Sequence, residues 1–403
     1  MNSLLYLTHR IPYPPNKGDK IRSFNILKYL SRHYQVYLGT FVDDAHDWRY
    51  LKDMEKYCQD IYAAPLKPLL SKLRSLPALW SHTPMTLPYY CNAGLKAWVK
   101  SQNDRNEFSA VLVFSSAMAQ YVMGPEWSHL RRVIDFVDVD SDKWRQYSHT
   151  KVWPMSWVYR READTLLEFD KQVANEFEAS LFVSVKEAEL FASMPEVDGA
   201  KVGHVDNGVD IDYFKSDSVY PNPYGDEYEQ PIVFTGAMDY WANADAVTWF
   251  ARNVLPEIRQ EHAKAHFYIV GARPTRQVND LASLAGVTVT GLVKDIRPFL
   301  AHARLAVAPM RIARGVQNKV LEAMAMARAV VVTPQGFDGI VAQANHEIII
   351  TTSAHDFARA VTMLLNEPDK AAQLGQVARQ RIEQSYAWET NLRALLPILD
   401  KKA

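Results

Sequence analysis

Apolar residues gather in short unbroken runs separated by longer stretches of helical periodicity, and this alternation occurs twice along the chain. In the first half the runs are 3–7, 34–41, 110–114, 132–137, 181–184 and 201–205. In the second they are 232–234, 266–270, 287–289, 305–308, 329–332 and 347–350. Runs of this length without polar alternation read as strands buried on both faces. Between them Ile21, Phe24, Leu27 and Leu30 carry helical spacing, as do residues 154–179, 244–255 and 317–326. Residues 369–396 also read as helical, with Pro397 opposing extension. The pattern predicts an α/β chain of two Rossmann-like doubly wound domains facing across a cleft. Residues 216–230, with Pro221, Pro223, Gly225 and four acids, read as the break between them.

Composition narrows the function classes. The 403 residues have room for two or three domains at about 150 each. Lys and Arg total 45 against 46 Asp and Glu, which argues against non-specific nucleic-acid binding. Cys58 and Cys91 are too few for a disulfide framework and lack zinc-site spacing, so a reducing, cytoplasmic setting is expected. No secretory-signal pattern and no apolar run of about 18 residues is visible.

The most informative stretch is 305–340, which reads as strand, glycine loop, helix, strand and loop. Gly315 stands where the loop meets the helix, and the helix start offers unpaired N–H groups and a positive dipole end suited to phosphate. Lys319 adds a full charge there, with Arg311 and Arg314 in the preceding loop. Glu322 lies one turn on, on the same face, where a carboxylate can accept from two adjacent ribose hydroxyls. Such a set suits a nucleoside diphosphate. The same groups fit a surface ion pair and a plain turn, and their chemistry alone leaves both readings open.

Here a resemblance enters. Asn318-Lys319-Val320-Leu321-Glu322-Ala323-Met324-Ala325 followed by Ala329-Val330-Val331-Val332 resembles the donor-binding signature of family 4 retaining glycosyltransferases of the GT-B fold. Asn207-Gly208-Val209-Asp210 with Phe214, Phe234-Thr235-Gly236-Ala237-Met238-Asp239, Ile269-Val270-Gly271, Val289 to Val293 and Tyr386-Ala387-Trp388 are similar to further family elements in the same order. With Asp135 to Ser141, the set resembles the sugar transferases of exosortase/PEP-CTERM exopolysaccharide systems. The resemblance implies an acceptor domain over 1–215, joined by a C-terminal helix of about 386–403, and a donor domain over 216–385. It implies donor contacts from Gly236, Val293, Arg314, Gly315, Val316, Gln317, Asn318, Leu321 and Glu322, and sets the Gly18–Asp19 loop against donor phosphates or acceptor. The chain departs from the family where Arg314 replaces the first of two glutamates spaced by seven, and where 238–243 lack the usual Arg and Lys. Arg311, Arg314 and Lys319 are the substitutes this suggests.

The expected reaction moves a sugar from a nucleotide-sugar donor to a hydroxyl of a glycan or lipid-linked acceptor, without a metal or other cofactor. Lys319 and Arg311 would stabilise the leaving diphosphate. Asp138 and Asp140, with Asp135 at the end of the 132–137 strand, are candidates to take the acceptor's proton; helix capping or an ion pair is the competing reading. Likewise Asp19 reads either as a phosphate-side residue or as a helix cap. Residues 61–103 and 143–161 each hold five Lys or Arg and no acid, interleaved with leucines or tryptophans. They suggest an anionic membrane surface on the cytoplasmic side, against the alternative of packed loops with solvated lysines. A nucleotide-sugar 2-epimerase or a non-catalytic glycan-assembly partner are the rival functions, and a dehydrogenase is disfavoured because 9–19 lacks GxGxxG.

Overall fold

In the first half, the apolar runs pair side by side. The computed structural model describes residues 1–15, 17–225, 230–313 and 315–400. β1 (Asn2–Thr8), β2 (Tyr34–Val42), β3 (Asp60–Pro65), β4 (Phe108–Phe114), β5 (Arg131–Val137), β6 (Ala179–Phe182) and β7 (Val202–His204) form one parallel sheet in the order β3-β2-β1-β4-β5-β6-β7. Leu4, Leu5, Leu7, Val111 and Val113 are fully buried, as strands covered on both faces require. β3 was not expected. It is an edge strand paired only with β2, mostly half-buried, and so lacks a continuous apolar run. The chain winds outward from β1 to β3 and restarts beside β1 at β4, a reversal that leaves a crevice at the carboxyl ends of these two strands.

The second unit repeats the plan. β8 (Gln230–Thr235), β9 (Ala265–Val270), β10 (Val287–Gly291), β11 (Leu305–Ala308), β12 (Val330–Val332) and β13 (Ile349–Ile350) are parallel in the order β10-β9-β8-β11-β12-β13. The reversal falls between β8 and β11. The helix Asn318–Ala325 follows β11, and buries Val320, Leu321, Ala323 and Met324 against the sheet.

The units are Met1–Asn207 with the stretch from Asn391, and Gly208–Thr390. The expected boundary at 215/216 therefore lies inside the second unit, because Val209, Phe214 and Tyr224 pack in its core. Residues 226–229 of the expected break lie outside the described residues. The two separated motifs around Gly208 and Trp388 meet there. Val209 N–H donates to the Tyr386 carbonyl at 2.7 Å, and a Cβ on Gly208 would stand 2.8 Å from Trp388. The last helix, Leu395–Asp400, packs on β4 and β5 of the first unit. It contains Pro397, contrary to expectation. A proline in the first turn displaces only an N–H that has no intrahelical partner.

Candidate functional site

The second unit's reversal point brings Gly236 to Lys319, and with it the predicted donor segment from Gly315 to Glu322. Gly236 (φ 159°) follows β8 and Gly271 (φ 154°) follows β9, and these turns pack directly: a Cβ on Gly271 would lie 1.7 Å from the Gly236 carbonyl oxygen. A Cβ on Gly236 would lie 3.4 Å from Lys319 Cε. Glycine is needed here for close approach as well as backbone angle. Gly315 is buried at φ 68°, the left-handed conformation that lets the loop turn into the helix. Its carbonyl accepts from Gln317 Nε2 at 3.0 Å, and Gln317 Oε1 accepts from Lys319 Nζ at 3.0 Å. Lys319 Nζ also stands 5.4 Å from the centre of the Phe234 ring. Gln317 is the N-cap without a side-chain cap, so its helix start keeps N–H groups open to a ligand.

Lys319 and Glu322 share a face and hold opposed charges in a desolvated place. Burial lowers Lys319 to about 8, with Glu322 pulling the other way. Burial raises Glu322 to about 7, against the pull of Lys319. Each charge is therefore poorly compensated by its protein surroundings, the condition in which a ligand's own charges and hydroxyls count most. Asn318 Oδ1, beside Lys319 in the chain, and Asn243 Oδ1, whose amide nitrogen would lie 2.8 Å from a Cβ on Gly236, are buried without hydrogen-bond partners among the described residues. Val316 and Val293 are half-buried against the unit's core.

Several of the other expected residues are already engaged by partners within the protein. Arg311 is half exposed and forms a two-pronged ion pair with Asp245, with Nε–Oδ2 at 2.9 Å, so its charge is already engaged. Arg314 lies outside the described residues. In the first unit, Asp135 is not a free base: it is buried and accepts from Arg22 Nε at 2.8 Å, while Arg22 also donates to the Val205 carbonyl and Asn207 Oδ1. Asp138 and Asp140 share Lys143, at 2.6 and 3.0 Å. Gly18 does open its helix, but Lys17 is the N-cap and Asp19 stands in the first turn. Burial works against the Asp19 carboxylate, yet His9, Arg10 and a backbone N–H outweigh it and hold it well below the usual range. Arg10 pairs with Asp19 at 2.5 Å and with Asp43 at 3.0 Å. His9 Nε2 lies 3.4 Å from Asp19, and its buried Nδ1 has no partner among the described residues.

One cluster escaped sequence reasoning. Arg297 lies 3.9 Å over the Tyr213 ring and pairs with Asp295 at 2.7 Å. Burial, then Asp295 and Glu322, raises the Tyr213 phenol against the opposing pull of Arg297, so this stacked surface is within electrostatic reach of Glu322. The Asp295-x-Arg297 spacing was its only local signal. A hollow lined by Tyr224, His302, Arg304 and Arg328 lies instead at the amino ends of β8, β11 and β12, the edge opposite Lys319.

Residues 229–367 match the family model for Glycosyl transferases group 1, a span that contains Gly236, Gly271, Gly315, Lys319 and Glu322. No curated protein sequence matches the chain. Similar solved structures include the Anabaena protein HepE in complex with UDP and glucose, at TM-score 0.69 and 15% identity over 100% of both chains. Sucrose-phosphate synthase from Thermosynechococcus elongatus has TM-score 0.69 and 13% identity over 100% of this chain and 99% of that one. WaaG, a glycosyltransferase involved in lipopolysaccharide biosynthesis, has TM-score 0.65 and 15% identity over 98% and 99%. At these identities the likeness is one of fold, and the fold is GT-B. Together the family match and the fold support a glycosyltransferase of GT-B type.

Proposed function

We propose that the chain transfers a glycosyl group from a nucleotide-sugar donor to a hydroxyl of a glycan or lipid-linked acceptor, with retention of configuration, as a family 4 enzyme of exopolysaccharide synthesis. The observation that carries this reading is the meeting of Gly236, Gly315, Lys319 and Glu322 at the strand-order reversal of the second unit. Open N–H groups at the Asn318–Ala325 helix start and the Lys319 ammonium receive the diphosphate. As the bond from the anomeric carbon to the diphosphate oxygen breaks, that oxygen takes the electron pair and its growing charge is stabilised there. Glu322 accepts from the ribose hydroxyls and so fixes the anomeric carbon's position. The acceptor oxygen bonds to that carbon and gives up its proton; Asp138 or Asp140 is the proposed recipient, released from Lys143. Lys319 remains the principal cation, with Arg311 paired to Asp245, and no metal is assigned a role. Since HepE was solved with UDP, uracil is the first base to test. The family match favours transfer over epimerisation or a non-catalytic role.

The test is thermal stabilisation by UDP-, GDP- and dTDP-sugars, repeated with Glu322→Gln. One nucleotide should raise the melting point, and the variant should bind it more weakly by about 1.5–3 kcal/mol. No response to any nucleotide, or an unchanged affinity in Glu322→Gln, would overturn the reading.

A further inference from the structure

The helix Pro68–Ser75 is packed the reverse of a normal surface helix. It buries Ser71 and Ser75, which bond to one another through Ser75 Oγ and the Ser71 carbonyl at 2.9 Å. It turns Leu69 (79% exposed), Leu70 and Leu73 (62%) outward. The following turn, Leu76–Trp80, exposes Leu76 and leaves Trp80 84% exposed. Exposed leucines in an unbroken group mark a surface that something covers.

A second apolar group lies beside it. Arg161, in the helix Met155–Glu176, donates to the carbonyls of Ala78, Ser81 and Thr83. Its neighbour Glu162 accepts from the Met85 and Thr86 N–H groups at 2.7 and 3.0 Å. These bonds hold the start of that helix against the turn that carries Trp80. Trp157, one turn before Arg161, is half exposed, and Trp153 is 81% exposed. The structure thus joins two segments that are more than 60 residues apart in sequence and that fall in the basic stretches 61–103 and 143–161, beyond which Glu162 is buried and Asp164 pairs with Arg145. Lys67, Lys72 and Arg74 on the first and Lys151 and Arg160 on the second are all exposed.

Exposed leucines and tryptophans with an excess of exposed cations match a bilayer interface in polarity and in sign. Among the described residues no helix is long and apolar enough to cross a membrane, so such a surface would lie on the bilayer rather than span it. We propose that this face of the first unit docks on an anionic lipid bilayer, its leucines and tryptophans entering the headgroup layer and its lysines and arginines meeting lipid phosphates. Docking would set the unit beside a lipid-linked acceptor, but the proposal stands on this surface and not on the nucleotide site.

The experiment is co-sedimentation of the full chain with phosphatidylglycerol-rich or pure phosphatidylcholine vesicles, at low and high salt. The expected result is binding to the anionic vesicles, weakened by salt. Neutralising Lys72→Gln and Arg74→Gln together should weaken it roughly 25-fold, about 5-fold per cation. Leu69→Ser with Leu73→Ser, both at exposed positions, should weaken it at any salt concentration. No vesicle binding, equal binding to both lipids, or full binding by either double variant overturns the proposal. So does a chain that self-associates through Leu73 without binding lipid, as read by light scattering. The nucleotide-dependent melting shift is measured on the same samples, so loss of docking with that shift intact separates this inference from the proposed function.

Discussion

Replacing Lys319 by methionine should stabilise the fold while abolishing diphosphate binding. Burial lowers this lysine from 10.5 to about 8. At about 1.4 kcal/mol per pH unit, carrying the charge costs the folded state about 3 kcal/mol. The sign follows from linkage. A lysine whose folded value is depressed binds its proton more weakly when folded, so the cost is fully present below about pH 8 and fades towards pH 10.5. Methionine keeps most of the length, being one atom shorter, and removes the charge. Against that gain stands the hydrogen bond from Lys319 Nζ to Gln317, worth about 1 kcal/mol. Glu322 also loses its opposite charge, but its carboxyl, already raised to about 7, then rises further and becomes neutral. The net is a gain of about 2 kcal/mol at neutral pH, or about 4–8 °C for a unit of this size. Differential scanning fluorimetry at neutral and strongly alkaline pH, with and without UDP, reads both consequences. The variant should melt higher at neutral pH, lose most of that advantage in alkali, and no longer respond to UDP. A variant that melts below the wild type, or keeps its full UDP-dependent shift, refutes the reasoning.

Three further outcomes are expected. UDP affinity, followed by titration calorimetry across pH, should peak between about 7 and 8, because the diphosphate needs Lys319 protonated and the ribose needs Glu322 ionised; a flat profile contradicts this. Gly271→Ala places a Cβ 1.7 Å from the Gly236 carbonyl oxygen, which is backbone and cannot turn aside. It should cost about 1–3 kcal/mol or more in chemical denaturation and impair nucleotide binding, and an unchanged midpoint argues against the packing described. Asp135→Ala strands the buried Arg22 guanidinium and should cost about 3–5 kcal/mol of stability; a fully stable but inactive variant would return Asp135 to the catalytic candidates.

The division between what was legible in the sequence and what was not follows the range of the interactions. The buried strands were legible because each is a uniformly apolar run, and β3 was not because one of its edges is unpaired. Gly315, Lys319 and Glu322 lie within eight residues, so their grouping around one helix start was visible in the spacing. The partners that reassign the other candidates are remote. Asp245 is 66 residues from Arg311, and Arg22 is 113 from Asp135. A charged side chain reads as available until the fold supplies its counter-ion. The outward face of Pro68–Ser75 shows the converse: composition marked the segment, but only packing shows that its serines, not its leucines, are buried.

The central claim is that the start of the Asn318–Ala325 helix grips a diphosphate while Glu322 holds the attached ribose. A crystal structure with UDP tests it most directly. The account predicts the diphosphate on the N–H groups of that helix start, Lys319 Nζ within hydrogen-bond distance of a phosphate oxygen, and both ribose hydroxyls on the Glu322 carboxylate. UDP bound elsewhere in the second unit, or bound there with Lys319 still held by Gln317 and Glu322 untouched, would contradict it.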